Sequence, residues 1–477
     1  MSTFHQIPGP NPASTTESQD PTWSYLVDPL GHMSTLYQHY GDVVAFLRGG
    51  NKGLYLPSEK TPGTVFAFGP KQTETILRNP SLFHSHSIMT PLFPECEAEE
   101  TALRRITTGL FSYNGSPHQC QRKKVMPAFH RSTIERYTPD ILRITHEISS
   151  TWKPDEWMDL ARETTSLSLT ILWHIFLGKT GMGHPQHLSN AQSWLEHLLD
   201  ASRGITLNLP DNPKDRVREE ASFIEDTFRR FWQEASKEDQ SVLTQLCHHA
   251  PKNESLTETE AIGHLFTFVM AGYETVASSI LWTLFLLASH PKELHNLTEE
   301  ISGPFNGDSI SEDEIRKLTH LDHVVKESLR LLPAAPICWR VAQPGAFLNP
   351  WEVPPGTEVI YSPFHTHRLP ELYDQPQRFQ PSRWAHIRPS PFEYLPFSAG
   401  PRKCIGASLA TQVIKGVLIT LLPRYHFQLP PTIDVNLRVG ITLQPDMDFP
   451  VKLIPHHLAT PTIPEIRGSI CNHVQFH

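Results

Sequence analysis

Phe397-Ser-Ala-Gly-Pro-Arg-Lys-Cys-Ile-Gly406 decides how this 477-residue chain is read. Cys404 follows a Gly-Pro turn and precedes an apolar, helix-forming run, Ile405 to Leu422. That order sets the sulfur at or near a helix N-terminus, where free backbone N–H groups and the helix dipole favour the thiolate. Gly400 permits a tight turn, and Gly406 lets the backbone pass close to a flat partner. Arg402 is placed to reach an anion on that partner, and Phe397 to shield the sulfur. A lone cysteine is more often a small buried core residue. Here four features converge within ten residues, which points to a ligand.

The pattern Phe-x-x-Gly-x-Arg-x-Cys-x-Gly resembles the haem-binding loop of the cytochrome P450 family at every fixed position. The resemblance implies that Cys404 is the axial thiolate of a haem b iron, and that its electron push favours O–O cleavage of bound O2. Three further stretches resemble family signatures in the expected order, and together they span most of the chain.

Ala271-Gly272-Tyr273-Glu274-Thr275 lies inside the longest helical run, Leu256 to His290. Thr257 and Glu260 form a capping box at its start. A glycine inside a helix costs about 1 kcal/mol relative to alanine. Small residues here, Ala271 among them, are expected to let a flat macrocycle and O2 approach the backbone. Thr275 can hydrogen-bond the carbonyl of Ala271 and loosen the helix. Taken locally, a core threonine beside an acid in a salt bridge reads equally well. The resemblance assigns Thr275 and Glu274 to proton delivery. From Phe266 to Ala288 the run has one charge, Glu274, and is long enough to span a bilayer. An acid near the midpoint is costly in lipid, so a buried central helix is expected.

His118 and Arg122 are four residues apart and project from one helix face. A solvated face is the ordinary reading of such a pair. The resemblance makes both of them, with Arg340 and Arg402, the partners of the haem propionates. Glu327 and Arg330 share a helix face, and an exposed pair of this kind would be worth little. The resemblance adds Arg383 and implies a buried network that fixes the loop beneath the haem. Ala334, Ala335, Ile337, Gly440 and Ile441 are expected at the substrate. So is the segment around Met89, Leu92 and Phe93. His84 and His86 lack a third ligand nearby and read as lining or surface residues, not a metal site.

The net charge of −9 argues against nucleic-acid binding. The 43 prolines are nearly twice the usual share of ~5 % and imply much irregular structure. Six scattered cysteines without a C-x-x-C pair fit a reducing compartment. The N-terminal 30 residues lack an apolar segment, so no membrane anchor is expected and a cytoplasmic location is.

The fold class expected is mainly α with small β-sheets, the cytochrome P450 fold, as one large domain over residues 24–456. A flexible arm over 1–23 and a polar tail over 457–477 are expected to flank it. Residues 426–429 and 441–443 read as a final hairpin. The function implied is insertion of one oxygen atom from O2 into a small apolar substrate such as a fatty acid or terpenoid. A haem-thiolate isomerase, dehydratase or peroxygenase on the same fold is the alternative, and a non-enzymatic haem sensor a further one. Only about 70 residues follow Cys404, too few for a flavin or iron–sulfur domain. Electrons are therefore expected from a ferredoxin and its reductase, docking a monomer at Lys123, Lys124 and Lys403.

Overall fold

The computed structural model describes residues 3–10, 21–48, 53–55, 61–86, 101–182, 189–190, 193–194, 197, 214–248, 255–304, 310–455 and 463–476. Met89, Leu92, Phe93 and Cys96 lie outside them.

The helices used below are α1 (Pro21–Val27), α2 (Pro29–Tyr40), α3 (Gly69–Arg78), α4 (Ala102–Thr107), α5 (Gly115–Val125), α6 (Thr138–Ser149), α7 (Leu160–Met182), α8 (Lys214–Gln233), α9 (Glu258–Ala288), α10 (Thr319–Leu331) and α11 (Ala407–Leu421). Helix α9 organises them. Its capping box is complete: Thr257 Oγ1 accepts the Glu260 N–H at 3.2 Å, and the Glu260 carboxylate accepts the Thr257 N–H at 2.9 Å. Every residue from Val276 to Ala288 is buried. A helix that is apolar all round must be covered on all sides, and α9 packs against α4, α7, α8, α10 and α11. Among the described residues it alone is long and apolar enough to cross a membrane, and 72 % of its apolar window lies inside the molecule.

Gly272 shows how the packing is reached. A β-carbon there would come within 3.0 Å of Leu172 Cδ1 on α7, with Phe176 next to it. Its missing side chain therefore serves the close approach of α7, not the approach of a cofactor as its neighbours had suggested. Ser168 of α7 completes the contact by donating to the Tyr273 carbonyl at 2.7 Å.

Beside the helices lies a five-stranded sheet. Its members are β1 (Val43–Arg48), β2 (Gly63–Ala67), β3 (Phe83–His84), β5 (Cys338–Ala342) and β6 (Glu358–Tyr361), in the order β1-β2-β6-β5-β3. All pairs are antiparallel except β2/β6, where Val65 faces Val359. β3 and β5 meet with His84 opposite Val341, which brings residue 84 beside the strand that carries Arg340. A second sheet contains β4 (Trp157–Asp159), β7 (Tyr425–Gln428) and β11 (Pro450–Pro455), with β11 in the middle.

Three expectations are corrected here. The final hairpin does not form. β7 pairs with β11, while β8 (Thr432–Asp434) pairs with β12 (Glu465–Arg467) and β9 (Leu437–Val439) with β10 (Leu443–Pro445). Alternating patterns locate strands but do not choose their partners. The supposed arm is docked where it is described. Phe4 and Ile7 are buried against the sheet, Pro8 O accepts the Ala45 N–H at 2.8 Å, and α1 begins at Pro21. The supposed tail likewise belongs to the core, since Ile470, Val474 and Phe476 are buried. In each segment a few apolar residues, sparse in a polar composition, supply the anchor.

Candidate active site

The cysteine loop is a tight backbone construction. Ser398 and Gly400 adopt positive φ of 56° and 69°. A β-carbon at Gly400 would meet the Leu77 carbonyl oxygen of α3 at 2.3 Å, so only glycine fits there. The Lys403 N–H donates to Gly400 O at 3.1 Å, and the Cys404 N–H donates to Phe397 O at 2.9 Å. Phe397 packs against the core at the mouth of the loop. Gly406 caps α11, and its backbone N–H favours the Cys404 thiolate.

Burial pushes the Cys404 thiol above its ordinary pKa; the Gly406 N–H, Arg122 and Lys403 pull the other way without prevailing. The helix-end effect expected from the sequence is thus present but smaller than the desolvation. Cys404 nevertheless keeps accessible surface.

Three elements bring basic groups together beside this thiol. His118 and Arg122 come from α5, Arg340 from β5 and Arg402 from the loop. Burial lowers the Arg402 guanidinium to about 10, with Arg340 and Arg122 adding repulsion. Burial also lowers His118 to about 4, with Arg402 and Arg122 adding to it. Arg122 is lowered by burial and steadied by Cys404. Their hydrogen-bond partners are neutral: Arg402 Nη1 donates to Tyr113 O at 2.6 Å, and Arg340 Nη1 to Trp339 O at 2.7 Å. Arg340 also lies 5.5 Å from the centre of the Tyr361 ring. Among the described residues no carboxylate pairs with any of the four.

Like charges gathered in a partly buried place are unfavourable unless an anion joins them. A flat ligand with two carboxylates at its edge and a metal that takes a thiolate fits this donor set. Haem b is such a ligand.

Sequence reasoning missed the clasp that assembles this cluster. Asn114 does not cap α5 with its side chain. Instead its Oδ1 accepts the Ser85 N–H and its Nδ2 donates to Ser85 O, both at 2.9 Å. The clasp ties the end of β3 to the start of α5. His84, on that strand end, is close enough to Arg402 for the guanidinium to add to the lowering that burial causes. The only available signal was an Asn before a helix start, and that residue type predicts a cap.

On α9, Thr275 Oγ1 donates to Ala271 O at 2.9 Å and is 3.2 Å from Gly272 O. The expected back-bond to Ala271 is therefore formed. Ala271, Glu274 and Thr275 are all half-buried. The segments around Ala334 and Leu443 meet each other and the part of α9 that follows Thr275. The Leu443 N–H donates to Ala334 O at 3.0 Å, and Leu443 O accepts Ser278 Oγ and Trp282 Nε1 from α9.

Beneath the loop, Glu327, Arg330 and Arg383 form the buried network. Glu327 accepts from Arg330 Nε and Nη2, Arg383 Nε, Trp384 Nε1 and the Gln380 N–H, all at 2.9 Å. His367 links this network to the cysteine loop. Its Nε2 accepts the Leu395 N–H at 2.7 Å, so its Nδ1 carries the proton and donates to Arg330 O at 3.1 Å.

The fold and this site define a haem-thiolate protein. The sequence matches the family described as Cytochrome P450 over residues 58–446, and the chain belongs to that family. It is similar to cyclooctat-9-en-7-ol 5-monooxygenase of Streptomyces melanosporofaciens, at 28 % identity over 84 % of this chain and 86 % of that protein. It is also similar to pentalenene oxygenase of Streptomyces avermitilis, at 26 % identity over 87 % and 90 %. Cyclooctatin synthase of S. melanosporofaciens is 25 % identical over 90 % and 91 %. This chain is thus a haem b monooxygenase with a cysteine ligand, using O2 and electrons from external redox partners on apolar substrates.

Proposed function

We propose that this enzyme oxygenates a cyclic terpenoid hydrocarbon or a sparsely hydroxylated derivative of one. The observation that carries the site assignment is the convergence of Cys404, His118, Arg122, Arg340 and Arg402 from three elements onto one place, with no carboxylate paired to them among the described residues. The substrate class is supported by the names of the three relatives. The half-buried Met270 and Ala271 on α9 and the buried Ala334 and Ile337 are apolar, which suits such a ligand.

When bound, the haem supplies the activation of O2. The chain supplies the rest. Cys404 provides the thiolate ligand, steadied by the Gly406 N–H and screened from water by Phe397. Arg122, Arg340 and Arg402 neutralise the propionates, and His118, held neutral at pH 7, offers them an N–H. Ala271 keeps the helix surface low. The Thr275 Oγ1 proton rests on the Ala271 carbonyl, so the oxygen lone pairs remain free to accept from water. The Glu274 carboxylate relays protons through water to that hydroxyl.

Electrons come from a ferredoxin and its reductase, and the enzyme works as a monomer in the cytoplasm. Free thiols at Cys120, Cys247, Cys338, Cys404 and Cys471 support a reducing compartment. The basic docking patch expected from the sequence includes one lysine that is already paired. Lys403 is exposed beside the ligand cysteine, but Lys124 is paired with Glu260 at 3.2 Å. Docking on the basic face that carries the exposed Lys403 is expected to weaken with salt.

Titrating the purified holoprotein with cyclic terpenes, fatty acids and sterols tests the substrate reading. A terpene is expected to shift the haem spectrum at micromolar concentration and to be oxygenated with O2 and a reductase. Shifts confined to fatty acids or sterols would sink the terpenoid assignment. Turnover with peroxide but not with O2 and electrons would sink the monooxygenase cycle.

A further inference from the structure

We propose that residues 463–476 are a positioning strap that holds the loops beneath the haem and so keeps Cys404 in ligating geometry. The inference rests on the haem-thiolate reading of Cys404. The strap lies beyond the span over which the chain matches its family.

The strap enters the core through β12, which adds to β8 in parallel with Ile466 beside Ile433. The chain then turns. Ser469 N–H donates to Asn436 Oδ1 at 2.8 Å, and the Ile470 N–H to Val435 O at 3.1 Å. From there it crosses to a different part of the molecule. The Gln475 N–H donates to Gln377 O at 2.9 Å, and Asn472 O accepts Gln377 Nε2 at 3.1 Å. Residues 475 and 378 form a parallel bridge. Phe476 closes the path, its ring 5.6 Å from that of Phe285 on α9 and 6.2 Å from His290.

The loop grasped in this way supplies the carbonyls that crown the buried network. Arg330 donates to Pro376 O at 2.7 Å and to Arg378 O at 3.1 Å, and Arg383 donates to Gln375 O at 3.2 Å. A second grip lies one step closer to the thiol. His473 O accepts Arg368 Nη2 at 3.2 Å, and the His473 ring stands edge-on to Phe364 at 5.1 Å. Arg368 covers the same Phe364 ring at 3.4 Å and donates to Leu331 O at 2.6 Å. Its neighbour His367 receives the Leu395 N–H, and Leu395 leads through Ser398 into the loop of Cys404. A continuous chain of hydrogen bonds and ring contacts thus runs from the strap to the ligand. Buried contacts of this kind hold one arrangement because packed groups do not deform gradually.

The test uses the full-length holoprotein. Gln475→Pro removes the N–H donated to Gln377, and Phe476→Ala removes the closing ring; Gln475→Ala keeps the N–H and serves as the rescue control. Three readouts are taken: haem transfer to an apo-globin acceptor, the share of reduced, carbon-monoxide-treated protein with the red-shifted thiolate band, and hydrogen exchange by segment. In the Gln475→Pro/Phe476→Ala variant, haem loss is expected to quicken roughly tenfold, the order set by losing one hydrogen bond and one ring contact. The thiolate band is expected to shrink, and exchange to rise in 463–476, 374–380 and 395–404 together. Gln475→Ala, which keeps the N–H, is expected to fall well short of the double variant in all three readouts. Free exchange in 463–476 with unchanged haem loss and unchanged 395–404 would overturn the proposal. So would full protection of 463–476 in the double variant, because the named contacts would then not be what fastens it.

Discussion

Glu327→Gln is the most searching single substitution for the architecture under the haem. The carboxylate is completely buried and accepts five hydrogen bonds, two of them from Arg330 and one from Arg383, whose side chains are 0 % and 5 % exposed. Burial opposes its charge, but Arg330 and Arg383 outweigh that and hold the carboxyl below the ordinary glutamate range. A glutamine keeps the shape, yet its NH2 group must face donors that need an acceptor, and two guanidinium ions lose their counter-charge. Breaking a buried pair from one side costs about 3–5 kcal/mol. An unfolding entropy of ~2.1 cal/mol/K per residue over 477 residues is about 1 kcal/mol/K, so Tm should fall by roughly 3–5 °C. Thermal unfolding of the holoprotein, read by far-ultraviolet circular dichroism, measures this, and the carbon-monoxide spectrum should show a smaller thiolate band. The sign with pH is also set. A carboxyl whose folded pKa is depressed stabilises above its unfolded pKa of ~4.3 and loses that contribution as pH falls through the folded value. The gap between parent and variant should therefore close in acid. A Tm within about 1 °C of the parent at pH 7, with a full thiolate band, would refute the view that this network carries charge-dependent stability.

Thr275→Ala removes the hydroxyl held on Ala271 O; product formed per electron pair should drop about tenfold or more while oxygen consumption continues, and Thr275→Ser should restore most of it. A comparison of product with O2 consumed checks this, and tight coupling in the alanine variant would exclude a proton-delivery role. His118, His264, His365 and His473 are held near 4 and His367 near 3, in each case chiefly by burial. These histidines are neutral in the fold and take up protons when the chain unfolds. Their contribution is present above about pH 6.5 and is lost as pH falls toward 4, so melts at pH 7.5, 6 and 5 should show a falling Tm. A flat profile across that window would mean that the imidazoles are not buried as described.

Much of the site could be read from local patterns because its chemistry is carried by short motifs. The loop of Cys404 is a self-contained turn, and the Thr275–Ala271 bond is made within one helical turn. The capping box at Thr257 is equally local. Single-helix geometry dictates such contacts, so sequence spacing suffices to foresee them. The resemblance to a known family supplied the rest of the ligand set, including Arg340, which no spacing could join to His118.

Contacts between distant segments behaved otherwise. Asn114 has the residue type of a helix cap, and only the arrival of Ser85 beside it makes it a clasp between β3 and α5. Gly272 looked like room for a cofactor until α7 was seen against it. Phe4, Ile7 and Phe476 sit in segments whose average polarity suggested an arm and a tail, yet a single buried ring can anchor such a segment if the surface opposite has a place for it. Short motifs, read through their resemblance to a known family, determined that this chain is expected to fold as a helical haem protein with Cys404 as the ligand. Which strands pair, which glycine serves packing and how the last residues brace the thiolate loop were decided by the tertiary structure. Those outcomes depend on what lies across the gap, and one-dimensional order does not encode that partner locally.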